Sequence, residues 1–509
     1  MRIERKMSNR IQMVRTRVGP SPTGMCHAGF IRTCIYNWAF AKKHGGEFIL
    51  RIEDTDSKRF VPAAEQYIID TLKWMNMIPD HGPTFGDGRY GPYRQTEREY
   101  RSYVDKLIVD GHAYYAFDTE EELSAARKRS EASKKPFAYN RVMRPYMRNS
   151  TSLSESDTAA LLASGADYVV RFKMPKDVVV RFTDLVRGTV TFNTDTLDDK
   201  VLMKANGVPT YHMAVCVDDH LMDITHVFRG EEWLSSTPLH LLLYDALGWK
   251  APEFAHLPLL LDKNGKKLSK RNAVEAGYPI FPFSVDVVDD GVVIGRSEGF
   301  KELGFESAAL LNYLALLGWH PRNDKEIMTV EEMIEAFDIA DVNNSGAKFD
   351  YEKAKFFNRE YLSRLPGSDL VKFLPENIFW YTDDGLAKIA KAAMERAYFT
   401  KEIPDVVSYF FQDVDAPIDT MKRVEEFPTF LQLVINKMEV SEWDPEPLFE
   451  HVMSLIADLG IHRGSALNNL RLCITGGASG PKMHEMMDMM GKNEFLRRLK
   501  KVQLTFETA

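Results

Sequence analysis

The stretch Val14–Trp38, VRTRVGPSPTGMCHAGFIRTCIYNW, limits what this chain can fold into more than any other. Val14, Thr16 and Val18 alternate with Arg15 and Arg17 at a period of two, the pattern of a strand with one apolar face. Gly19-Pro20-Ser21-Pro22-Thr23-Gly24 can continue neither a strand nor a helix, so the chain must turn there. Ile31, Ile35 and Trp38 then recur at helical spacing, Phe30 and Cys34 widen the stripe, and Gly45-Gly46 ends it. Phe48-Ile49-Leu50-Arg51-Ile52 is short and apolar, as a buried parallel strand should be. Strand, helix and strand make a βαβ unit, whose ligand site belongs where the strands' carboxyl ends meet the helix N-terminus.

A chain of 509 residues is too long for one core and predicts three or four domains. With 44% hydrophobic and 27% charged residues it has the balance of an ordinary globular protein, and the polar opening MRIERKMSNRIQM lacks the apolar core of a signal peptide. No apolar run is long enough to span a bilayer, so no membrane partner is expected. Cys26, Cys34, Cys216 and Cys473 form no CxxC pair, which points to a reducing compartment and a cytoplasmic location. A net charge of −8 excludes a protein that coats nucleic acid indiscriminately but leaves room for a local basic surface that grips one folded RNA.

Past the second strand, Arg51-Ile52-Glu53-Asp54-Thr55-Asp56 puts three carboxylates beside the first turn, either as a solvated loop and cap or as part of a site. Residues 62–77 read as an amphipathic helix on Ala64, Ile68, Leu72 and Met75, and a further helix carries Tyr103 and Leu107. Residues 113–210 change character: a charged helical stretch over 119–135, basic residues Arg141, Arg144 and Arg148, then short strands over 168–174, 178–183, 188–192 and 201–204. The pattern is that of an α+β insertion between two halves of the first domain. The α/β pattern resumes at Tyr211–His220, where a helix places His212, Cys216 and His220 on one face, either a metal stripe short of a fourth ligand or a buried seam. Ile224–Arg229 reads as a strand ending in Gly230-Glu231-Glu232-Trp233, and Thr237-Pro238 opens another helix.

The lysine-rich run Lys263–Arg271 is not a Walker loop, since no Ser or Thr follows a Gly-Lys and the upstream glycine is missing. No G-x-G-x-x-G follows a strand either. A hairpin pairs Val285–Val288 with Val292–Ile294 across Asp289-Asp290-Gly291. From about residue 307 the chain is mainly helical, punctuated by Pro366, Pro375, Pro404 and Pro428, with the methionines of 483–490 read as helix packing and 496–501 as a basic amphipathic turn. These pieces suggest one site. His27 and Gly29 open a helix whose N-terminal N–H groups and partial positive charge suit phosphate, and the lysine-rich loop can neutralise charge on a leaving pyrophosphate.

H-A-G-F (27–30) and K-L-S-K-R (267–271) resemble the two signature motifs of class I aminoacyl-tRNA synthetases. With R-V-G-P-S-P-T-G-x-x-H-x-G, R-I-E-D-T-D, P-T-Y-H-M-A-V-x-V-D-D-H and R-G-E-E-W-L-S-S-T-P in order, the chain resembles the bacterial-type glutamyl-tRNA synthetases over nearly its whole length. Gly346–Asp350 and Gly491–Leu499 resemble that family's helical C-terminal half.

The resemblance implies a multidomain fold: a Rossmann-like α/β catalytic domain with an α+β insertion, then a mainly α-helical anticodon-binding region. It maps residues 1–105 and 211–255 to the two catalytic halves, 106–210 to the insertion that holds the acceptor end, 256–345 to the KLSKR loop and stem contacts, and 346–509 to the anticodon region. It implies that ATP, with Mg2+ as the substrate complex, activates L-glutamate to glutamyl-adenylate, and that tRNA(Glu) takes the acyl group. By the family's pattern His27, Gly29, Lys267 and Lys270 are catalytic; Glu232, Trp233 and Leu260, with His27, Gly29 and Lys270, line the ATP site. Arg17 and Arg229 suit the γ-carboxylate, Glu53 the α-ammonium, and Ser21 and Tyr211 supply hydrogen bonds. Arg396 matches a region that reads the anticodon, and a monomer is the family default.

Only His27 and Gly29 of the first signature are retained, and Tyr114-Tyr115-Ala116-Phe117 stands where some relatives keep a C-x-C motif, so no structural zinc is expected. The alternatives are a glutaminyl-tRNA synthetase, disfavoured by R-I-E-D-T-D and the helical C-terminal half; a stand-alone enzyme that glutamylates a modified base, disfavoured by the C-terminal third; a small-molecule nucleotidyltransferase; and a non-catalytic RNA-binding module, which predicts no pyrophosphate exchange.

Overall fold

The computed structural model describes residues 13–508 except 133, 135–136, 290–291, 376–380, 422–423 and 478–479. The expected βαβ entry is present: β1 (Arg15–Val18), α1 (Ala28–Lys43) and β2 (Glu47–Leu50), with β1 and β2 parallel from Arg15↔Glu47 to Val18↔Leu50. All four residues of β1 are buried, so the strand has no solvent face and its arginines need partners inside the protein. α1 buries Ile31, Cys34, Ile35 and Trp38 as the stripe required, each large apolar side chain contributing about 2 kcal/mol of burial.

After α2 (Pro62–Trp74) and α3 (Arg101–Val109), β3 (Ala113–Ala116) leads into α4 (Glu120–Ala132) and α5 (Glu155–Ala163). β4 (Val169–Phe172) and β7 (Val201–Met203) join β3 in a three-stranded antiparallel sheet. The remaining two strands of this region, β5 (Val179–Asp184) and β6 (Gly188–Asn193), go elsewhere. They form a hairpin whose end, Asp184, pairs with Phe254 of the catalytic sheet. A hairpin that the sequence groups with the insertion therefore delivers a carboxylate to the other sheet.

α6 (Tyr211–Leu221), β8 (His226–Gly230), α7 (Thr237–Ala246) and β9 (Glu253–Leu257) follow. β8 and β9 are parallel, and β8 lies beside β1, where Thr225 N–H donates to the Arg15 carbonyl at 2.9 Å. The carboxyl ends of β1 and β8 thus meet where strand order reverses, the crevice in which open α/β sheets bind ligands.

β10 (Leu260–Leu261) runs into α8 (Lys270–Ala276), and the hairpin of β11 (Val285–Asp289) and β12 (Val292–Ser297) forms with a bulge at Val287/Val288; its turn residues 290–291 lie outside the described residues. β13 (Ala347–Lys348) pairs with β10, so the Gly346–Asp350 motif returns to the catalytic unit and is no part of the helical half it was grouped with.

The chain divides into two compact units, the second formed by Leu303–Ala309 and the residues from Glu352 onward. That second unit is helical, with Phe427–Val440, Pro445–Asp458, Arg463–Thr475 and Met483–Thr508 gathered on a core that includes Phe430, Val434, Leu470 and Leu499. Met483, Met486, Met487, Met489 and Met490 are all buried in it, as helix packing requires. The basic turn near the end is amphipathic in an unexpected sense: Arg498 is buried, donating to the Tyr409 and Ile474 carbonyls at 2.6 Å each. Among the described residues no helix is long and apolar enough to cross a membrane, and all four cysteines are buried free thiols.

Candidate active site

A cavity of about 460 Å3 opens between the ends of β1 and β8, lined among others by Arg17, Ser21, Glu53, Tyr211, Arg229 and Trp233. Every residue assigned to glutamate from the sequence is on this wall. Their electrostatic situations differ, however. Arg17 is clasped side-on by Asp219, with Nε to Oδ1 at 3.0 Å and Nη2 to Oδ2 at 3.1 Å, leaving only its Nη1 end outside the clasp. Arg51 donates to Asp219 at 2.6 Å and to Glu53 at 2.9 Å, and lies 3.7 Å from Asp218, which also holds Arg98 at 2.9 Å. Three arginines and three carboxylates balance in this buried knot. Burial disfavours the Asp219 carboxylate, but Arg17 and Arg51 overcome it, and the carboxyl is held below the usual range. Burial prevails at Glu53 and Asp218, which are raised.

Arg229 has no such counterweight. It is 5% exposed and donates to His256 Nε2 at 3.1 Å, Tyr211 Oη and His240 Nδ1 at 3.2 Å each, Thr237 Oγ1 at 2.9 Å and the Trp233 carbonyl at 3.3 Å. Each of these partners is neutral. A buried guanidinium with no carboxylate beside it among the described residues is costly unless an anion arrives to meet it.

Of the three carboxylates after β2, Glu53 and Asp56 line the cavity, and Glu53 is the buried one. Asp54 accepts from Thr96 N–H at 2.9 Å, and Asp56 pairs with Arg59. A Cβ on Gly19 would stand 2.1 Å from Glu53 Oε1, so glycine there lets the carboxylate lie against the turn. Tyr211 packs its ring on Trp233 at 4.2 Å between centroids.

The second half of the site sits at the N-terminus of α1. His27 caps the helix, its Nδ1 accepting from Gly29 N–H at 3.1 Å, which leaves Nε2 as the protonated, donating nitrogen. Burial, then Lys270 and Lys267, push this imidazole down to about 4, so it is neutral near pH 7. Gly29 is required by this cap, since a Cβ there would come within 2.9 Å of the His27 ring. The expectation of free helix N–H groups is corrected: Ala28 N–H is taken by the Ile280 carbonyl at 2.7 Å and Gly29 N–H by His27. The donors on offer at this end are His27 Nε2–H and Lys270.

Lys270 is the first residue of α8, placed by the cap in which Ser269 accepts from Asn272 N–H at 3.2 Å. The loop before it folds on Asp262, whose Oδ1 accepts from Asn264 and Lys266 N–H at 2.8 and 2.9 Å. Burial lowers the Lys270 ammonium, and its Nζ lies 2.9 Å from where a Cβ on Gly24 would be, which brings the two signature motifs together. Lys267 is more exposed and 3.6 Å from Glu232. Glu232 lies over Gly230, and Leu260 is buried in β10, accepting from Leu268 N–H through its carbonyl.

The His212/Cys216/His220 stripe is a seam. His212 Nδ1 faces His240 Nε2 at 3.1 Å, Cys216 is buried, and His220 stacks on Trp249 at 4.0 Å. Tyr114, in the strand that replaces the C-x-C motif, donates to Asp199 at 2.7 Å. Arg396 lies just beyond the helix Asp383–Ala393 and donates to the Gly480 carbonyl at 2.9 Å. Asp219, Asp218, Asp184, His240 and His256 escaped the sequence reading. The two aspartates carried a signal, because acids inside the apolar run Met213–Val217 onward must meet buried cations. The histidines and Asp184 carried none.

Comparison with known proteins decides the family. The catalytic-domain model of the class I tRNA synthetases (E and Q) matches residues 13–278 and 290–356, and the anticodon binding domain model matches 368–503. The glutamate–tRNA ligase of Bacteroides thetaiotaomicron is 45% identical over 96% of this chain and 98% of its own length; that of Flavobacterium johnsoniae is 44% identical over 96% and 99%. The chain belongs to the glutamate–tRNA ligases. A crystal structure of a glutamate tRNA ligase from Elizabethkingia meningosepticum, in complex with its amino acid, superposes with a TM-score of 0.90 at 42% identity, covering 97% of this chain and all of that one. The fold is thus a class I synthetase catalytic domain followed by a helical anticodon-binding domain, and the activity is that of a glutamate–tRNA ligase.

Proposed function

We propose that this chain activates L-glutamate with ATP and transfers it to the terminal ribose of tRNA(Glu), with Arg229 as the anchor of the γ-carboxylate. The observation that carries this reading is the Arg229 guanidinium, buried on the cavity wall with neutral partners only. A γ-carboxylate completes it, whereas the amide of glutamine leaves it underpaired. Arg17, committed to Asp219, adds a hydrogen bond through Nη1 and holds the wall. Glu53, with Ser21 and Tyr211, receives the α-ammonium end.

The α-carboxylate then attacks the α-phosphate of ATP. His27 donates to a phosphate oxygen through Nε2–H, while Lys270 and Lys267 stabilise the charge that grows on pyrophosphate. Glu232 and Trp233 border the nucleotide. Magnesium enters with ATP as part of the substrate complex. Residues 106–210 take the acceptor end, 256–345 the stem, and the helical unit from Glu352 onward, with Arg396, the anticodon; the enzyme works as a cytoplasmic monomer.

ATP–pyrophosphate exchange with glutamate, glutamine and aspartate, each with and without tRNA, tests the reading. Glutamate-specific, tRNA-dependent exchange is expected, and Arg229→Ala should raise the glutamate KM about 100-fold while leaving the ATP KM unchanged. Equal effects on both constants would count against it.

A further inference from the structure

Arg229 is held by a relay of neutral histidines that extends well away from the cavity. An arginine only donates, so the ring nitrogens that meet it, His256 Nε2 at 3.1 Å and His240 Nδ1 at 3.2 Å, must both carry lone pairs. This fixes both tautomers. His256 keeps its proton on Nδ1, which donates to Asp184 Oδ2 at 2.6 Å, and Asp184 is itself fixed by Val186 and Arg187 N–H at 3.0 and 2.9 Å. His240 keeps its proton on Nε2, which donates to His212 Nδ1 at 3.1 Å. Burial lowers all three imidazoles, in keeping with neutral rings.

Resting on the reading of Arg229 as the γ-carboxylate anchor, we propose that His240 and the Asp184–His256 pair are positioning residues that set glutamate specificity by orienting Arg229 without neutralising it. The contrast with Arg17 shows why the distinction matters. Arg17 is fixed by a bidentate carboxylate that cancels its charge, whereas Arg229 is fixed as firmly by acceptors that leave the charge whole. The one carboxylate in the relay, Asp184, acts on Arg229 only through the imidazole of His256. Rigid direction with undiminished charge is what separates a carboxylate from the amide of the same shape.

Two variants of equal shape separate charge from packing. His240→Asn keeps a neutral acceptor, and His240→Asp puts an anion in its place. With the full-length enzyme and tRNA, His240→Asp should raise the glutamate KM about 30-fold above that of His240→Asn, leave the ATP KM within about twofold, and narrow the preference for glutamate over glutamine about tenfold. Equal glutamate KM values and equal preferences in the two variants overturn the proposal. Should His240→Asp fail to fold, Asp184→Asn decides: it frees His256 to turn an N–H toward Arg229, and a glutamate KM unchanged from wild type overturns the role of the pair. Arg229→Ala is the companion control. If it leaves the glutamate KM unchanged, the anchor reading itself fails. If it raises that KM while Asn and Asp at 240 behave alike, the anchor stands and only the relay falls.

Discussion

The ammonium of Lys270 lies 2.9 Å from the place a Cβ on Gly24 would occupy, so glycine in the turn before α1 lets the first residue of α8 rest its ammonium against that turn. Lys270→Met should therefore lower the pyrophosphate-exchange rate by about 10²–10³ with little change in glutamate KM, the scale of losing one preorganised charge-stabilising group. Gly24→Ala, which leaves the lysine in place but pushes it aside, should cost about tenfold in the same assay. A Gly24→Ala enzyme that exchanges at the wild-type rate would show that this contact does not position the lysine.

Arg17 and Arg229 line one cavity yet should answer mutation in opposite ways. Arg17→Met strips Asp219 of its clasp and leaves a buried carboxylate short of charge, so urea unfolding should show a loss of about 3–5 kcal/mol. Arg229→Met removes a buried cation that has no carboxylate partner among the described residues, and its stability should stay within about 1 kcal/mol of wild type or rise. Finding the two equally destabilising would mean that Arg229 has a countercharge after all.

Gly19→Ala puts a methyl 2.1 Å from Glu53 Oε1 and must displace that carboxylate. Because Glu53 lines the amino-acid cavity while His27 and Lys270 gather at the helix end, the glutamate KM should rise at least about tenfold with the ATP KM unmoved. Titrating each substrate separately in the exchange assay checks the split.

The sequence made the elements of this site readable and left its partnerships hidden, for a physical reason. Period-two alternation, the Pro/Gly turn and the apolar stripe are local, and they located β1, α1 and β2 to within a few residues. The glutamate-side residues named from the resemblance do share one cavity. What holds Arg17 is Asp219, on a helix far along the chain, and what orients Arg229 includes Asp184, on a hairpin whose strands read as part of the insertion. No local pattern encodes a contact between elements so remote. Likewise, nothing in the text of α1 says that the Ile280 carbonyl will cover its first N–H, although free donors there were the natural expectation.

The buried histidines make stability depend on pH between their lowered values and about 6.5, while Glu53 and Asp218, raised by burial, work in the opposite direction. Burial lowers His27, His212 and His226 to about 4, whereas in the unfolded chain a histidine titrates near 6.5. Between those values these histidines bind more protons in the unfolded state than in the folded one, so the stability they contribute is fully present above about pH 6.5 and drains away as pH falls toward 4. Asp184 and Asp219 are held below the ordinary carboxylate range and add their own loss only at still lower pH. His226 isolates the effect, because it packs on Phe40 and Phe228 and lines no part of the cavity. The urea midpoint should fall steadily from pH 7 to pH 5, and His226→Phe, which has no proton to take up, should make that fall shallower. A midpoint that is flat over this range, or a slope that His226→Phe leaves unchanged, would mean that the folded protein already accommodates the protonated ring.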